Sequence, residues 1–109
     1  MSEIPQVQNA DMADNAVILD VREQDEWDAG HAPGALHIPL GELPSRLHEL
    51  PDTDAGTLAV TCRGGGRSSR AVAWLGQQGF DVANLEGGMK GWLAAGKSVV
   101  SEGGEPRVI

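Results

Sequence analysis

Leu58-Ala59-Val60-Thr61-Cys62-Arg63-Gly64-Gly65-Gly66-Arg67-Ser68 passes from an apolar, partly β-branched run through a cysteine and three glycines to a serine, and Ala71, Val72 and Leu75 follow at helical spacing. A buried strand, a tight loop and a helix start are the expected sequence of structures. Small residues let consecutive backbone N–H groups turn inward into a concavity, and the helix adds the positive end of its dipole. Such a concavity attracts an anion. Arg63 and Arg67 add cations that cannot deprotonate, so the Cys62 thiolate is expected to be favoured over the thiol.

Upstream and downstream of this stretch, strand and helix patterns alternate. Residues 16–21 form a short apolar run suited to a strand covered on both faces, with Asp20 and Arg22 at its carboxyl end. Residues 23–29 predict a short acidic helix anchored by Trp27 and stopped at Gly30. Residues 36–38 predict a second short strand. Leu43, Leu47 and Leu50, at i, i+4 and i+7, predict an amphipathic helix with Pro44 in its first turn and Pro51 at its end. Ser68 or Ser69 is the expected cap of the next helix, which Gly79 stops. Residues 82–85 predict a strand, Gly87-Gly88 a turn, residues 89–95 a last short helix anchored by Trp92 and Leu93, and residues 98–109 a tail. The alternation predicts an α/β fold, an open, mostly parallel sheet with helices on both faces, because parallel strands need crossover connections. Ligands in such sheets sit beyond the carboxyl ends of the strands, where Cys62 falls.

Composition limits the partners. The chain has 109 residues, 8 Lys+Arg against 16 Asp+Glu and a formal net charge of −8, which argues against nucleic acid or an anionic membrane. The length fits one domain, and a monomer is the expected state. A single cysteine allows no internal disulfide, so a reducing compartment, the cytoplasm, is expected; residues 1–15 show no leader and no stretch approaches a membrane span. Arg63, Arg67 and Arg70 lie in a segment with no acid between Asp54 and Asp81, a positive island on a negative molecule. A small anionic donor suits it better than a polyanion. His31 and His37 lack metal-ligand spacing, so no metal is expected, and His48 fits a solvated helix face. Trp27, Trp74 and Trp92 read as core or rim anchors. Gly87-Gly88 lacks the surrounding pattern of a nucleotide-binding glycine loop.

Four ordered segments carry a family resemblance: Leu19-Asp20-Val21-Arg22, Gly30-His31-Ala32-Pro33-Gly34-Ala35-Leu36-His37-Ile38-Pro39, the Cys62 to Ser68 loop, and Asn84-Leu85-Glu86-Gly87-Gly88-Met89-Lys90-Gly91-Trp92. Over residues 4–97 the chain resembles a single-domain rhodanese. The resemblance implies a rhodanese-like sulfurtransferase that cycles through a Cys62 persulfide with no metal or organic cofactor. It moves sulfane sulfur from thiosulfate or a persulfide donor to cyanide or a thiol. It also implies that His31 hydrogen-bonds backbone within a structural motif.

On the residues themselves, N–H groups of 63 to 67 are expected to hold the sulfur, with Gly64, Gly65 and Gly66 supplying positive φ. Arg63, pointing outward, is the candidate for attracting substrate, and Ser68 completes the loop. Arg67 either contacts substrate or braces the loop through an acid. Arg22 either binds substrate or joins an ion-pair network with Asp20 and Glu26. The two-domain thiosulfate rhodaneses carry a basic residue where this chain has Glu26, which argues against efficient use of free thiosulfate. Two other readings compete: a relay of sulfur between proteins, and a phosphatase or arsenate reductase of the same fold. Enzymes of the latter kind use a cradle one residue longer between Cys and Arg. The shorter ring here suits a sulfur atom better than a tetrahedral oxyanion.

Overall fold

The computed structural model describes residues 4–51 and 56–109. Asp54, which bounds the positive segment, and residues 1–3 of the start lie outside the described residues. Five parallel strands form one sheet: β1 (Gln6–Val7), β2 (Ile18–Asp20), β3 (Leu36–His37), β4 (Leu58–Thr61) and β5 (Val82–Leu85), in the order β1-β5-β4-β2-β3. Between and after them lie helices α1 (Gln24–Ala29), α2 (Gly66–Gln77) and α3 (Gly88–Ala94). The expected α/β sheet is the observed one, with β1 as an edge strand too short to show in the sequence pattern.

The period-2 alternation of strand side chains divides the interior into two cores. Leu19, Val60 and Val82 face Ala71, Val72 and Leu75 of α2 together with Leu43. Ile18, Ala59 and Leu85 face Met89 and Trp92 of α3. Helices therefore cover both faces, and the central strands β2, β4 and β5 are buried almost throughout.

Three local expectations need correction. The leucine pattern at 43, 47 and 50 belongs to two 3₁₀ turns, Leu40–Ser45 and Leu47–Glu49, and only Leu43 is buried. Pro44 lacks an N–H, and the segment closes i to i−3 bonds instead: Arg46 N–H to Leu43 O at 3.0 Å and Leu50 N–H to Leu47 O at 3.2 Å. Helix α2 is capped by Gly65 and not by Ser68 or Ser69, both of which lie inside its first turn. In α3, Trp92 is buried but Leu93 is 45% exposed, so Leu93 anchors nothing.

The tail is ordered against the body. Trp92 Nε1 donates to Ser98 O at 2.8 Å, His31 and Val100 exchange backbone hydrogen bonds, and Val99 and Val108 pack on the α3-side core. Among the described residues no helix is long and apolar enough to cross a membrane.

Candidate active site

Cys62 leaves the carboxyl end of β4, and Gly65 turns the chain into α2. Its φ of +119° is the one left-handed backbone in the loop; Gly64 and Gly66 do not have positive φ, contrary to the expectation for all three. What fixes the direction of the loop comes from elsewhere in the chain. The first turn of α3 donates Met89 N–H to Cys62 O at 2.8 Å and Lys90 N–H to Arg63 O at 3.1 Å. With those carbonyls held on the α3 side, the following amides are free to turn towards the sulfur. The approach requires Gly88, at φ +59°, where a Cβ would stand 2.6 Å from Arg63 O and 2.7 Å from Cys62 O.

Around the sulfur the donors are fewer and later in the loop than residues 63 to 67. Gly65 N–H donates to Cys62 Sγ at 3.0 Å, and Ser68 Oγ lies 3.3 Å from it. Burial by itself pushes the Cys62 thiol pKa up. The Ser68 hydroxyl and the N–H groups of Ser68, Gly65 and Arg67 outweigh it, and the net shift is downward from the ordinary thiol value. The sulfur thus sits in a preformed seat for negative charge. Cys62 is only 1% exposed, whereas Arg63, Gly64 and Gly66 around it are exposed.

The arginines divide into three roles. Arg67 forks onto Glu26, with Nη1 to Oε1 at 2.6 Å and Nη2 to Oε2 at 2.8 Å, the bracing arrangement. The Arg67 guanidinium holds the Glu26 carboxyl down at about 2 against the partial burial that raises it, and Glu26 in turn raises Arg67. Glu26 also accepts from Glu23 N–H at 3.0 Å in the capping box of α1. One carboxylate thereby ties the start of α1 to the loop.

Arg22 is wholly buried. Its Nε and Nη2 donate to Asp20 at 2.9 and 2.7 Å and its Nη2 to Gly30 O at 2.7 Å, so it locks the end of β2 to the end of α1. The expected three-member network is therefore split: Asp20 pairs with Arg22, and Glu26 takes Arg67. Arg63 is exposed, and its Nε donates to Ile109 O at 3.1 Å, a contact with the tail that nothing in the local sequence signals.

The histidines serve the motif between α1 and β3. His31 Nδ1–H donates to Trp27 O at 2.8 Å, and His37 Nε2–H donates to Arg22 O at 2.7 Å. Trp27 stacks on both rings, at centroid distances of 3.6 and 4.7 Å. Sequence reasoning missed Asn84. It stands on β5, is 5% exposed, and places Oδ1 2.5 Å from Ser68 Oγ.

Known proteins resemble this chain along most of its length. A sulfurtransferase of Allochromatium vinosum is 37% identical over 93 residues, covering 84% of this chain and 84% of the relative. A Bacillus subtilis protein provisionally named a sulfur carrier is 39% identical over 98 residues, and the chain spans about half of its length, 52%, with 84% of this chain covered. The crystal structure of a rhodanese-related protein from Thermoplasma volcanium superposes with a TM-score of 0.78 at 34% identity, covering 88% of this chain and 97% of that one. The family model described as the rhodanese-like domain matches residues 4–95, and the chain belongs to that family.

Proposed function

We propose that the protein is a sulfurtransferase in which Cys62 is the nucleophile and carries sulfane sulfur as a persulfide. The observation that carries this reading is the sulfur at the end of β4, bonded by the Gly65 N–H and flanked by Ser68, with its pKa shifted down. A thiolate that exists before substrate arrives needs no general base. In the first half-reaction it attacks the outer sulfur of thiosulfate; the sulfur–sulfur bond of the donor breaks and sulfite departs with the electron pair. A persulfide donor would release its thiolate in the same way. In the second, cyanide or a thiolate attacks the terminal sulfur and Cys62 leaves as thiolate. Charge balances in both halves without a proton.

The amides of Gly65, Arg67 and Ser68 act as the anion hole, fixed before reaction and requiring no reorganisation. Arg67 holds the loop through Glu26, while Arg63 is the exposed cation at the rim and the candidate for drawing in an anion. Burial of Cys62 sets a condition on the donor. Its reacting end must be narrow, as the terminal sulfur of thiosulfate or of a persulfide is. A free, reactive thiol also suits a reducing compartment such as the cytoplasm. The sulfurtransferase and sulfur-carrier names of the relatives agree with this chemistry.

Incubation with thiosulfate is expected to add the mass of one sulfur atom to the intact protein, and cyanide to remove it with release of thiocyanate. Cys62→Ser abolishes both. Persulfide loading from a protein donor with none from thiosulfate would assign the chain to a relay. Hydrolysis of a phosphotyrosine analogue with no sulfur uptake from either source would overturn the proposal.

A further inference from the structure

Ser68 Oγ has one proton and three acceptors within reach: Asn84 Oδ1 at 2.5 Å, Gly65 O at 3.2 Å and Cys62 Sγ at 3.3 Å. Where that proton points decides what the sulfur meets. If Ser68 donates to Asn84, its oxygen turns only lone pairs towards Sγ beside the Gly65 N–H, which opposes a thiolate. If Asn84 donates to Ser68 instead, the hydroxyl proton is released towards the sulfur.

The Asn84 carboxamide is built for that exchange. Its Oδ1 faces Ser68 and its Nδ2 donates to Gln6 Oε1 at 2.9 Å. Turning it over leaves the heavy atoms in place and swaps donor for acceptor at both ends. Gln6 is exposed on the edge strand β1, so its own amide can turn in concert. Asn84 is buried beneath the loop, where a Cβ on Gly65 would come within 3.7 Å of its Nδ2. Nothing else on β5 offers the loop a polar side chain: Val82, Ala83 and Leu85 are apolar.

We propose that Asn84 is a positioning residue for Cys62, which through the direction of its carboxamide steers the single Ser68 hydroxyl proton onto or away from the reacting sulfur. The donor orientation serves the thiolate, whereas beside an uncharged thiol the Ser68 proton can rest on Gly65 O at 3.2 Å without Asn84, so Asn84 favours the charged sulfur. The charged groups around this end of the sheet are the Asp20–Arg22 pair at the end of β2 and the Glu26–Arg67 pair joining α1 to α2, each internally neutralised, and the exposed Arg63, which reaches the tail. None of these side chains hydrogen-bonds Ser68 or Asn84. The direction of the hydroxyl is therefore the adjustable element at the sulfur.

The inference rests on Cys62 being the reacting sulfur, and its test reads ionisation without any sulfur donor, so its failure is distinct from an absence of sulfur transfer. The pH dependence of Cys62 alkylation by iodoacetamide is measured in Asn84→Leu, Ser68→Ala and the double variant. Asn84→Leu is expected to raise the midpoint by about one pH unit, a roughly tenfold smaller thiolate fraction below it. Ser68→Ala raises it at least as far, and the double variant matches Ser68→Ala because Asn84 acts through Ser68. An unmoved midpoint in Asn84→Leu, or an equal shift with and without Ser68, would overturn the assignment. If Asn84→Leu does not fold, the isosteric Asn84→Asp enters the same cycle. It is expected to raise the midpoint more when Ser68 is present than when it is Ala, and equal shifts again refute the role.

Discussion

Gly65 combines the only positive φ of the Cys62 loop with the N–H that lies 3.0 Å from the sulfur. The two properties are linked, because the left-handed turn is what swings that amide inward. An Ala Cβ at 65 would find only Asn84 Nδ2, at 3.7 Å, so the cost of Gly65→Ala is backbone strain of about 1–2 kcal/mol rather than a clash. At Gly64 a Cβ meets nothing within 4 Å and φ is not positive. We expect denaturant titration to show Gly65→Ala less stable by about that amount, with slower alkylation of Cys62 at neutral pH, and Gly64→Ala within about 0.5 kcal/mol of the parent. Equal losses at both positions would contradict this account. The glycine run was legible as an anion cradle because a tight loop needs small residues locally. Which glycine bears the strain was not legible, since Met89 and Lys90, far along the chain, hold the carbonyls that orient the loop.

At the scale of elements, α1 and α2 meet through one carboxylate. Glu26 completes the capping box of α1 and receives the Arg67 fork, which holds its pKa at about 2 instead of the ordinary 4.5. A carboxyl with a depressed folded pKa contributes stability that is present above 4.5 and is lost as pH falls towards 2. Melting temperature followed through that window should fall more steeply for the parent than for Glu26→Gln, which is less stable at neutral pH and lacks this proton uptake. Parallel curves would remove the coupling. The partner of Arg67 could be expected to be acidic but not named, because the pairing joins residues 41 apart in sequence. The same limit hid Asn84, whose contact with Ser68 exists only once β5 lies beside β4. In contrast, the strands β2, β4 and β5 were readable from their apolar runs alone. The 3₁₀ turns were misread because leucine spacing reports one face of a segment and not its backbone hydrogen bonds.

On the whole molecule, the parallel sheet brings the ends of β2 and β4 together, and the tail closes over the neighbouring crossover. Residues 98–109 carry no periodicity that would mark them as structural, and the family match stops at residue 95. Yet Arg107 N–H donates to Ala29 O at 2.9 Å, Arg63 Nε reaches Ile109 O, and Val108 packs on the α3-side core. The crossing point is Gly30, whose carbonyl receives Arg22 Nη2 from the buried pair at the end of β2. Gly30 has φ 174°, ordinary extended backbone, so its lack of a side chain is a matter of space. A Cβ there would meet the carbonyl oxygen of Arg107 and stand 2.8 Å from Arg107 N. Gly30→Ala must therefore displace the tail or shift the Arg22 clamp, and overpacking of this kind costs about 1–3 kcal/mol. We expect a lower melting temperature and faster proteolysis after residue 97, with the pH midpoint of Cys62 alkylation unchanged well below the melt, because the seat of the sulfur is built from β4, β5, α2 and α3. Deleting residues 98–109 in the Gly30→Ala background separates the two routes. If the tail carries the strain, the glycine substitution costs nothing further once the tail is gone; if the same loss persists, the strain lies in the Arg22 clamp and the tail is a passenger.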